Sequence, residues 1–134
     1  MRVYIAAPVT EQSRAALIAE RLEKMGFEVT SRWLYMKVGY DVKTRDELKA
    51  NSQIDLDDVD SADMLVHLAV RTSFGASAEF GYALARGKKV LSWGKFLGIF
   101  QCHPNVEFLE TDNEDALFNR MEELRGNQDP ILPG

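Results

Sequence analysis

The chain has 134 residues, of which 46% are hydrophobic and 28% charged, and its formal net charge is −5 at pH 7. This composition is typical of one soluble globular domain and excludes a disordered chain. The acidic balance disfavours duplex nucleic acid, and no apolar run approaches the roughly 20 residues of a membrane span. The single cysteine, Cys102, excludes a disulfide framework and has no second thiol at metal-ligand spacing. We therefore expect a cytoplasmic protein without a metal or an organic cofactor.

The first thirty residues predict a β-α-β unit. Residues 3–7 form a short apolar run that ends at Pro8, as expected of a buried strand. From Glu11, apolar residues recur at helical spacing until Gly26, and residues 27–30 return as a second strand. Units of this kind build parallel sheets.

The middle of the chain is less regular. Residues 32–50 show no steady period and many charges, which predicts a loop or a loop with a broken helix over the sheet edge. Residues 51–62 predict a helix, and residues 64–70 predict an apolar strand.

The second half repeats the β-α-β pattern. A helix that carries Glu79 ends at Gly87, and residues 89–93 follow as a strand. Residues 111–114, Thr-Asp-Asn-Glu, form a capping box that opens the last helix. We expect one α/β domain over residues 1–126, three-layered and flavodoxin-like, with a parallel sheet of about five strands and an irregular tail at 127–134.

Residues 73–81, Ser-Phe-Gly-Ala-Ser-Ala-Glu-Phe-Gly, carry one carboxylate into a helix through a turn of small residues. Small side chains let a ligand approach the backbone, and the free N–H groups of a helix start hold anions. Glu79 is predicted in the first turn, where the helix dipole favours the ionised form that suits a nucleophile. An ordinary strand-to-helix turn with a dipole-complementing Glu gives the same pattern.

Ligands of doubly wound sheets bind outside the carboxyl ends of the strands, near the point where the strand order reverses. That rule predicts that residues 4–8, 31–33 and 71–79 line one crevice. The carboxylate of Glu79 falls on one of these walls.

The chain resembles the nucleoside 2-deoxyribosyltransferase family, including its relatives that hydrolyse nucleoside 5′-monophosphates. The matching residues are Tyr4 with Ala6-Ala7-Pro8, Asp55-Leu56 eight residues before Asp63, the signature at 75–81, Gly87-Lys88-Lys89-Val90, and the segment 96–108. The resemblance implies that Glu79 attacks C1′ of the sugar, that Asp55 transfers a proton to the departing base, and that Tyr4 orients Glu79. Retaining glycosidic cleavage requires two carboxyl groups with different roles.

The crevice and the resemblance together give the candidate substrate-binding residues Ala6, Ala7, Pro8, Trp33, Ser73, Gly75, Ser77 and Asn105. Ser73 stands where transferases of free nucleosides often carry an acid, and a neutral hydroxyl there favours a 5′-monophosphate. The Gly-Ser-x-Arg-type turn of the monophosphate hydrolases is absent after strand one, so Thr10, Ser77 or Arg71 would have to replace it. The resemblance implies that Asn105 reaches a neighbour's site in a homodimer or larger homo-oligomer.

Several alternatives stay open on the residues alone. Asp58 lies one helical turn after Asp55 and could be the acid instead. Tyr4 and His67 could be core residues, and Trp33 could cap the core or stack on a base. At the level of function, a non-catalytic nucleotide-binding sensor and a TIR-like NAD glycohydrolase are the alternatives to N-glycosidic cleavage or transfer.

Overall fold

A five-stranded, fully parallel sheet forms the centre of the structure, a computed structural model that describes residues 1–37 and 44–126. The strand order is β2-β1-β3-β4-β5. This doubly wound order confirms the predicted three-layer, flavodoxin-like α/β fold. The strands are β1 (Arg2–Ala6), β2 (Glu28–Val29), β3 (Met64–Ala69), β4 (Lys89–Gly94) and β5 (Val106–Glu110).

The described helices cover both faces of this sheet. They are α1 (Gln12–Lys24), α2 (Arg45–Asp60), α3 (Phe74–Ala85) and α4 (Glu114–Gly126), and short 3-10 turns lie at Val9–Glu11, Arg32–Tyr35 and Ile99–Cys102. An ion pair of 2.9 Å between Arg14 Nε and Glu114 Oε2 joins α1 to α4. A hydrogen bond of 2.7 Å from Tyr82 Oη to Asp60 Oδ2 joins α3 to α2. None of the described helices is long and apolar enough to cross a membrane.

Helix α2 begins earlier than the sequence predicts. Its first residue is Arg45, because the hydroxyl of Thr44 accepts a hydrogen bond of 3.1 Å from the backbone N–H of Glu47 and caps the helix. The prediction of an irregular segment at 32–50 is therefore wrong from Arg45 onward. Within the same segment, residues 38–43 lie outside the described residues.

The last helix begins later than predicted. Asn113 Oδ1 accepts a hydrogen bond from the N–H of Asp115, so the cap lies at Asn113, and Thr111 instead accepts from the N–H of Asn113 in the turn before it. The fifth strand, Val106–Glu110, has no counterpart among the strands predicted from local pattern. The tail predicted at 127–134 lies outside the described residues.

Gly94 closes the carboxyl end of β4 tightly against β3. Its φ of +129° suits glycine, and a Cβ there would lie 2.5 Å from the carbonyl oxygen of Ala69. The same oxygen accepts a hydrogen bond of 2.7 Å from the N–H of Lys95. This junction directs the chain from β4 into the segment that runs along α3.

Candidate active site

Three elements bring Tyr4, Asp55 and Glu79 together on one side of the sheet. The hydroxyl of Tyr4, on β1, donates a hydrogen bond of 2.6 Å to Glu79 Oε2 on α3. Tyr4 is fully buried, and Glu79 is 9% exposed. Asp55 reaches Glu79 from α2 and lies close enough that each carboxyl changes the pKa of the other. The structure therefore unites the three residues that the resemblance implies for catalysis.

The closeness of Asp55 and Glu79 has a chemical consequence. Two carboxylates only accept hydrogen bonds and repel each other, so such a pair favours the state in which one of them carries a proton. Oδ1 of Asp55 is buried and has no hydrogen-bond partner within residues 1–37 and 44–126. Burial raises both pKa values and raises that of Glu79 further, so near neutral pH the pair keeps a proton and Glu79 carries it.

Burial is the main cause of the unusual acidity at this site. It raises the pKa of Glu79 to about 8, and the neighbouring carboxyl of Asp55 raises it as well, whereas the hydrogen bond from Tyr4 acts in the opposite direction. Burial likewise raises the pKa of Asp55 to about 6. Burial and the charge of Glu79 also raise the pKa of Tyr4, which therefore stays a neutral donor.

The expectation that the dipole of its helix keeps Glu79 ionised is wrong. Glu79 is the sixth residue of α3, in the second turn, and the first turn of α3 contains no acidic residue. The influence of the dipole fades beyond the first turn, while burial penalises the charged form.

Asp58, the alternative acid, has a different role. Its carboxylate accepts hydrogen bonds of 2.8 to 3.1 Å from the guanidinium of Arg32 and one of 3.0 Å from the backbone N–H of Arg32. These contacts tie α2 to the 3-10 turn that begins at Arg32. Of the two candidates, Asp55 is the carboxyl that meets Glu79.

The loop after β1 offers little side-chain surface to a ligand. Ala6, Ala7 and Pro8 are all buried. Trp33 is 5% exposed, and its indole N–H donates a hydrogen bond of 2.8 Å to the carbonyl oxygen of Ile5. This arrangement favours the core-capping alternative for Trp33 over stacking on a base.

The loop before α3 is more open. Ser73 is the N-cap of α3, and its hydroxyl accepts a hydrogen bond of 3.4 Å from the N–H of Ala76. Gly75 and Ser77 are exposed on the first turn, so their backbone and hydroxyl groups are available to a ligand. Arg71 Nη1 lies 3.8 Å from Glu11 Oε1 and links this loop to the loop after β1.

A cavity of about 640 Å³ lies between α3 and the segment around the 3-10 turn Ile99–Cys102. Its wall includes Ser73, Ser77, Phe80, Leu84 and Phe100, and it does not include Tyr4, Asp55 or Glu79. The cavity therefore lies beside α3, away from the carboxyl pair. Sequence reasoning missed it because its far wall comes from a segment without a periodic pattern.

His67 forms part of that wall and is the core histidine that the sequence predicts. It is 6% exposed, and its Nδ1 lies 2.9 Å from Ser92 Oγ. Burial lowers the pKa of His67 to about 4, so the imidazole is neutral near pH 7. Gln101, which the sequence did not single out, donates a hydrogen bond of 2.9 Å from Nε2 to the same Ser92 hydroxyl.

Asn105 is exposed and directly precedes β5, at the amino edge of the sheet. Glu79 follows β3 near the opposite edge, so one chain does not bring the two residues together. Cys102 is exposed. No group of three or more His, Cys, Asp or Glu side chains in the described part of the chain is arranged to hold a metal ion.

The fold has clear counterparts among solved structures, although the sequence itself matches no family model and no curated protein. In all, 49 chains of solved structures match. One is the CMP N-glycosidase BcmB of Clostridium botulinum, which is 20% identical to this chain. The match covers 92% of this chain and 99% of that chain, with a TM-score of 0.66. A likeness at this level of identity shows a shared fold.

Proposed function

We propose that this protein cleaves the N-glycosidic bond of a 2′-deoxynucleoside or its 5′-monophosphate, with Glu79 as the nucleophile. The observation that carries this proposal is the pair of carboxyls of Asp55 and Glu79, which lies beside the hydroxyl of Tyr4 and has raised pKa values. A pair of carboxyls, one ionised and one protonated, is what cleavage through a glycosyl-enzyme intermediate requires.

In the first step, an ionised oxygen of Glu79 forms a bond to C1′ while the bond between C1′ and the base nitrogen breaks. The bonding electrons leave with the base, and the base takes a proton from Asp55. Positive charge that develops on the sugar favours the ionised form of Glu79, so the proton that Glu79 holds in the free protein must move to Asp55 before the base takes it. The hydrogen bond from Tyr4 favours the same distribution because it stabilises the anion.

In the second step, water or a second base attacks C1′, and the bond from C1′ to Glu79 breaks. Asp55, now a carboxylate, takes the proton that the attacking group loses. The carboxyl pair returns to its starting state with one proton. Hydrolysis and base exchange differ only in the group that enters.

Two observations support a substrate with a 5′-phosphate. BcmB, which shares the fold, is a CMP N-glycosidase. Ser73, Gly75 and Ser77 present hydroxyl groups and backbone without a carboxylate at the start of α3, where the helix dipole is positive. A free nucleoside has no charge at its 5′ position to interact with the positive end of this helix.

The test is a panel of reactions followed by chromatography of the products. Each deoxynucleoside and its 5′-monophosphate is incubated with and without a second base, using the wild type, Glu79→Gln and the exposed-site control Asp57→Asn. We expect free base from the wild type and from Asp57→Asn but not from Glu79→Gln. No base release from any substrate would contradict the proposal.

The same panel separates the competing functions. A nucleotide that binds tightly in calorimetry, with no base released over hours, would indicate a sensor. Release of nicotinamide from NAD, with deoxynucleotides left intact, would indicate an NAD glycohydrolase.

A homodimer is a further part of this proposal, supported by an apolar surface beside α3. Glu79, which is buried, is the only charged residue of α3. Three large apolar side chains with exposed fractions from 63% to 94% project from α3 and from the 3-10 turn that faces it: Phe74, Ile99 and Phe100. Because a large side chain offers about 150–250 Å², together they expose roughly 500 Å². A standard interface needs about 800 Å² per partner, so this surface supplies most of one side.

A second copy of the chain is the partner that this surface fits. The chain carries a net charge of −5, so two copies associate most readily through a surface without charge. Phe100→Glu should convert a dimer to a monomer in light scattering, whereas Leu17→Glu, at an exposed apolar site on α1, should not. A monomeric wild type at micromolar concentration would contradict this part of the proposal.

A further inference from the structure

Helix α2 places two aspartates on the same side, one turn apart. Residues three apart in a helix are neighbours, so the charge of Asp58 acts on Asp55. The buried carboxylate of Asp58 is 5% exposed, so solvent screens it poorly. Without a neighbouring cation, the charge of Asp58 would disfavour the ionisation of Asp55 and Glu79.

Arg32 binds Asp58 in a planar, two-pronged arrangement. Its Nε lies 3.0 and 3.1 Å from the two carboxylate oxygens, and its Nη2 lies 2.8 Å from Oδ1. The carbonyl oxygen of Asp58 accepts further hydrogen bonds from the hydroxyls of Thr30 and Ser61, at 2.9 and 3.1 Å. These contacts fix α2 against the end of β2 at the turn that follows Asp55.

We infer that Arg32 is a positioning residue for the reaction: by binding Asp58 it holds α2 where Asp55 meets Glu79, and it offsets the negative charge next to Asp55. This inference deepens the proposed function, because Asp55 is the proposed proton donor. Arg32 touches neither Glu79 nor the proposed reacting atoms, so it acts through Asp58 and Asp55.

The groups that surround Asp55 determine the sign of the effect. Glu79 faces it from α3, the neutral hydroxyl of Tyr4 lies beyond Glu79 on β1, Asp58 neighbours it on α2, and Arg32 lies behind Asp58. Asp58 raises the pKa of Asp55, and Arg32 lowers it. Removing Arg32 should therefore make Asp55 hold its proton to higher pH, and removing the charge of Asp58 should do the opposite.

The experiment is a carboxyl carbon-13 NMR titration of the folded protein, which needs no turnover. It compares the wild type with Arg32→Gln, Asp58→Asn and the double variant. The matched control is Arg86→Gln, which breaks a similar pair, 2.8 Å between Arg86 Nε and Asp60 Oδ1, at the last residue of the same helix. The Arg86 side chain is 56% exposed and that of Arg32 is 60% exposed, so solvent screens the two cations alike.

We expect the titration midpoint of Asp55 to rise by at least about half a pH unit in Arg32→Gln and to fall by a similar amount in Asp58→Asn. The double variant should return near the wild-type midpoint, and Arg86→Gln should not move it. Shifts of the same sign in the two single variants, or no shift in either, would overturn the inference, because a purely structural pair has no reason to act with opposite signs.

Thermal melts of each variant identify any that fail to fold. If Arg32→Gln is unfolded, Asp58→Asn still tests the sign, because the midpoint of Asp55 should then fall. Opposite shifts in a protein that releases no base would leave this inference standing and reject the proposed function. Where base is released, the pH profile of kcat should move with the NMR midpoints.

Discussion

The two halves of the acidic run in α2 have opposite environments. Asp58 and Asp60 each bind an arginine, at 2.8 Å from Arg32 and from Arg86 respectively. Asp55, one turn earlier, forms no ion pair within residues 1–37 and 44–126 and meets the buried carboxyl of Glu79 instead. Four aspartates within six residues therefore include both structural anions and a proposed acid.

The comparison shows that the chemical role of an aspartate in α2 depends on the side chain that it contacts and not on the residue type. A carboxylate with an arginine is stable as an anion and holds two elements together. A carboxyl buried against another carboxyl keeps a proton and costs folding free energy when it must ionise. Such a cost is typical of sites that work on a substrate.

Substitution of Glu79, the proposed nucleophile, should have the largest effect on the rate of base release. Glu79→Gln should lower the rate of base release by at least about 10⁴-fold, and Asp55→Asn by about 10²- to 10⁴-fold, because an amide can neither attack C1′ nor supply the proton. Asp57→Asn, which changes an exposed member of the same acidic run, should keep the wild-type rate. Release of base at the wild-type rate by Glu79→Gln would remove Glu79 from the reaction.

The pH dependence of stability tests the buried carboxyls without a substrate. The pKa of Glu79 rises from 4.5 to about 8 in the folded chain, so near neutral pH the folded state holds a proton that the unfolded state has released. The raised pKa of Glu79 therefore stabilises the folded state at low pH, and this contribution is lost as the pH rises from 4.5 to about 8. Between pH 6.5 and 9 the free energy of unfolding should fall by about 2 kcal/mol, and chemical denaturation measures it.

The measurement starts at pH 6.5 because, at lower pH, the titration of His67 changes the free energy of unfolding in the opposite direction. Its pKa falls from 6.5 to about 4 on folding, so its contribution grows as the pH rises through that lower range. Glu79→Gln should lose most of the fall between pH 6.5 and 9 and should exceed the wild type in stability at pH 9. An unchanged slope in this variant would show that Glu79 ionises normally.

The same Asp→Asn substitution should act differently at the two positions of α2. Asp58→Asn weakens the contacts to Arg32, so we expect a melting temperature about 5 °C lower. Asp55→Asn removes a buried acid without a cation and should leave the melting temperature at pH 8 equal or higher. Calorimetry of both variants at that pH makes the comparison, and equal losses would contradict the distinction between the two aspartates.

Loss of the Tyr4 hydroxyl should have the smallest effect on the rate of base release. Tyr4→Phe removes the donor to Glu79 Oε2 and should slow base release about tenfold, the expected effect of one such hydrogen bond. Tyr82→Phe is the matched control, since its hydroxyl donates to a carboxylate of α2 at 2.7 Å but lies away from Glu79. A tenfold loss in the control as well would indicate a general effect on packing.

The sequence predicts the fold well because the strands and helices carry regular apolar patterns. The start of α2 was missed although Thr44 and Glu47 have the spacing of a helix cap, because the run around them is aperiodic. The fifth strand was missed for a similar reason, since most of its residues are only half-buried.

The site residues could be proposed from the sequence, but their protonation could not. The raised pKa of Glu79 comes from burial and from Asp55, 24 residues away in the chain and brought close only by packing of α2 on α3. By local pattern alone Asp55 and Asp58 look equivalent, and the structure separates them by their partners, Glu79 for Asp55 and Arg32 for Asp58.

Mass spectrometry of the protein quenched during turnover can detect the proposed covalent intermediate on Glu79 itself. We expect a deoxyribosyl adduct on the peptide that contains Glu79. The corresponding peptide of the Glu79→Gln variant should carry no adduct. Full turnover with the Glu79 peptide unmodified throughout would contradict the covalent route.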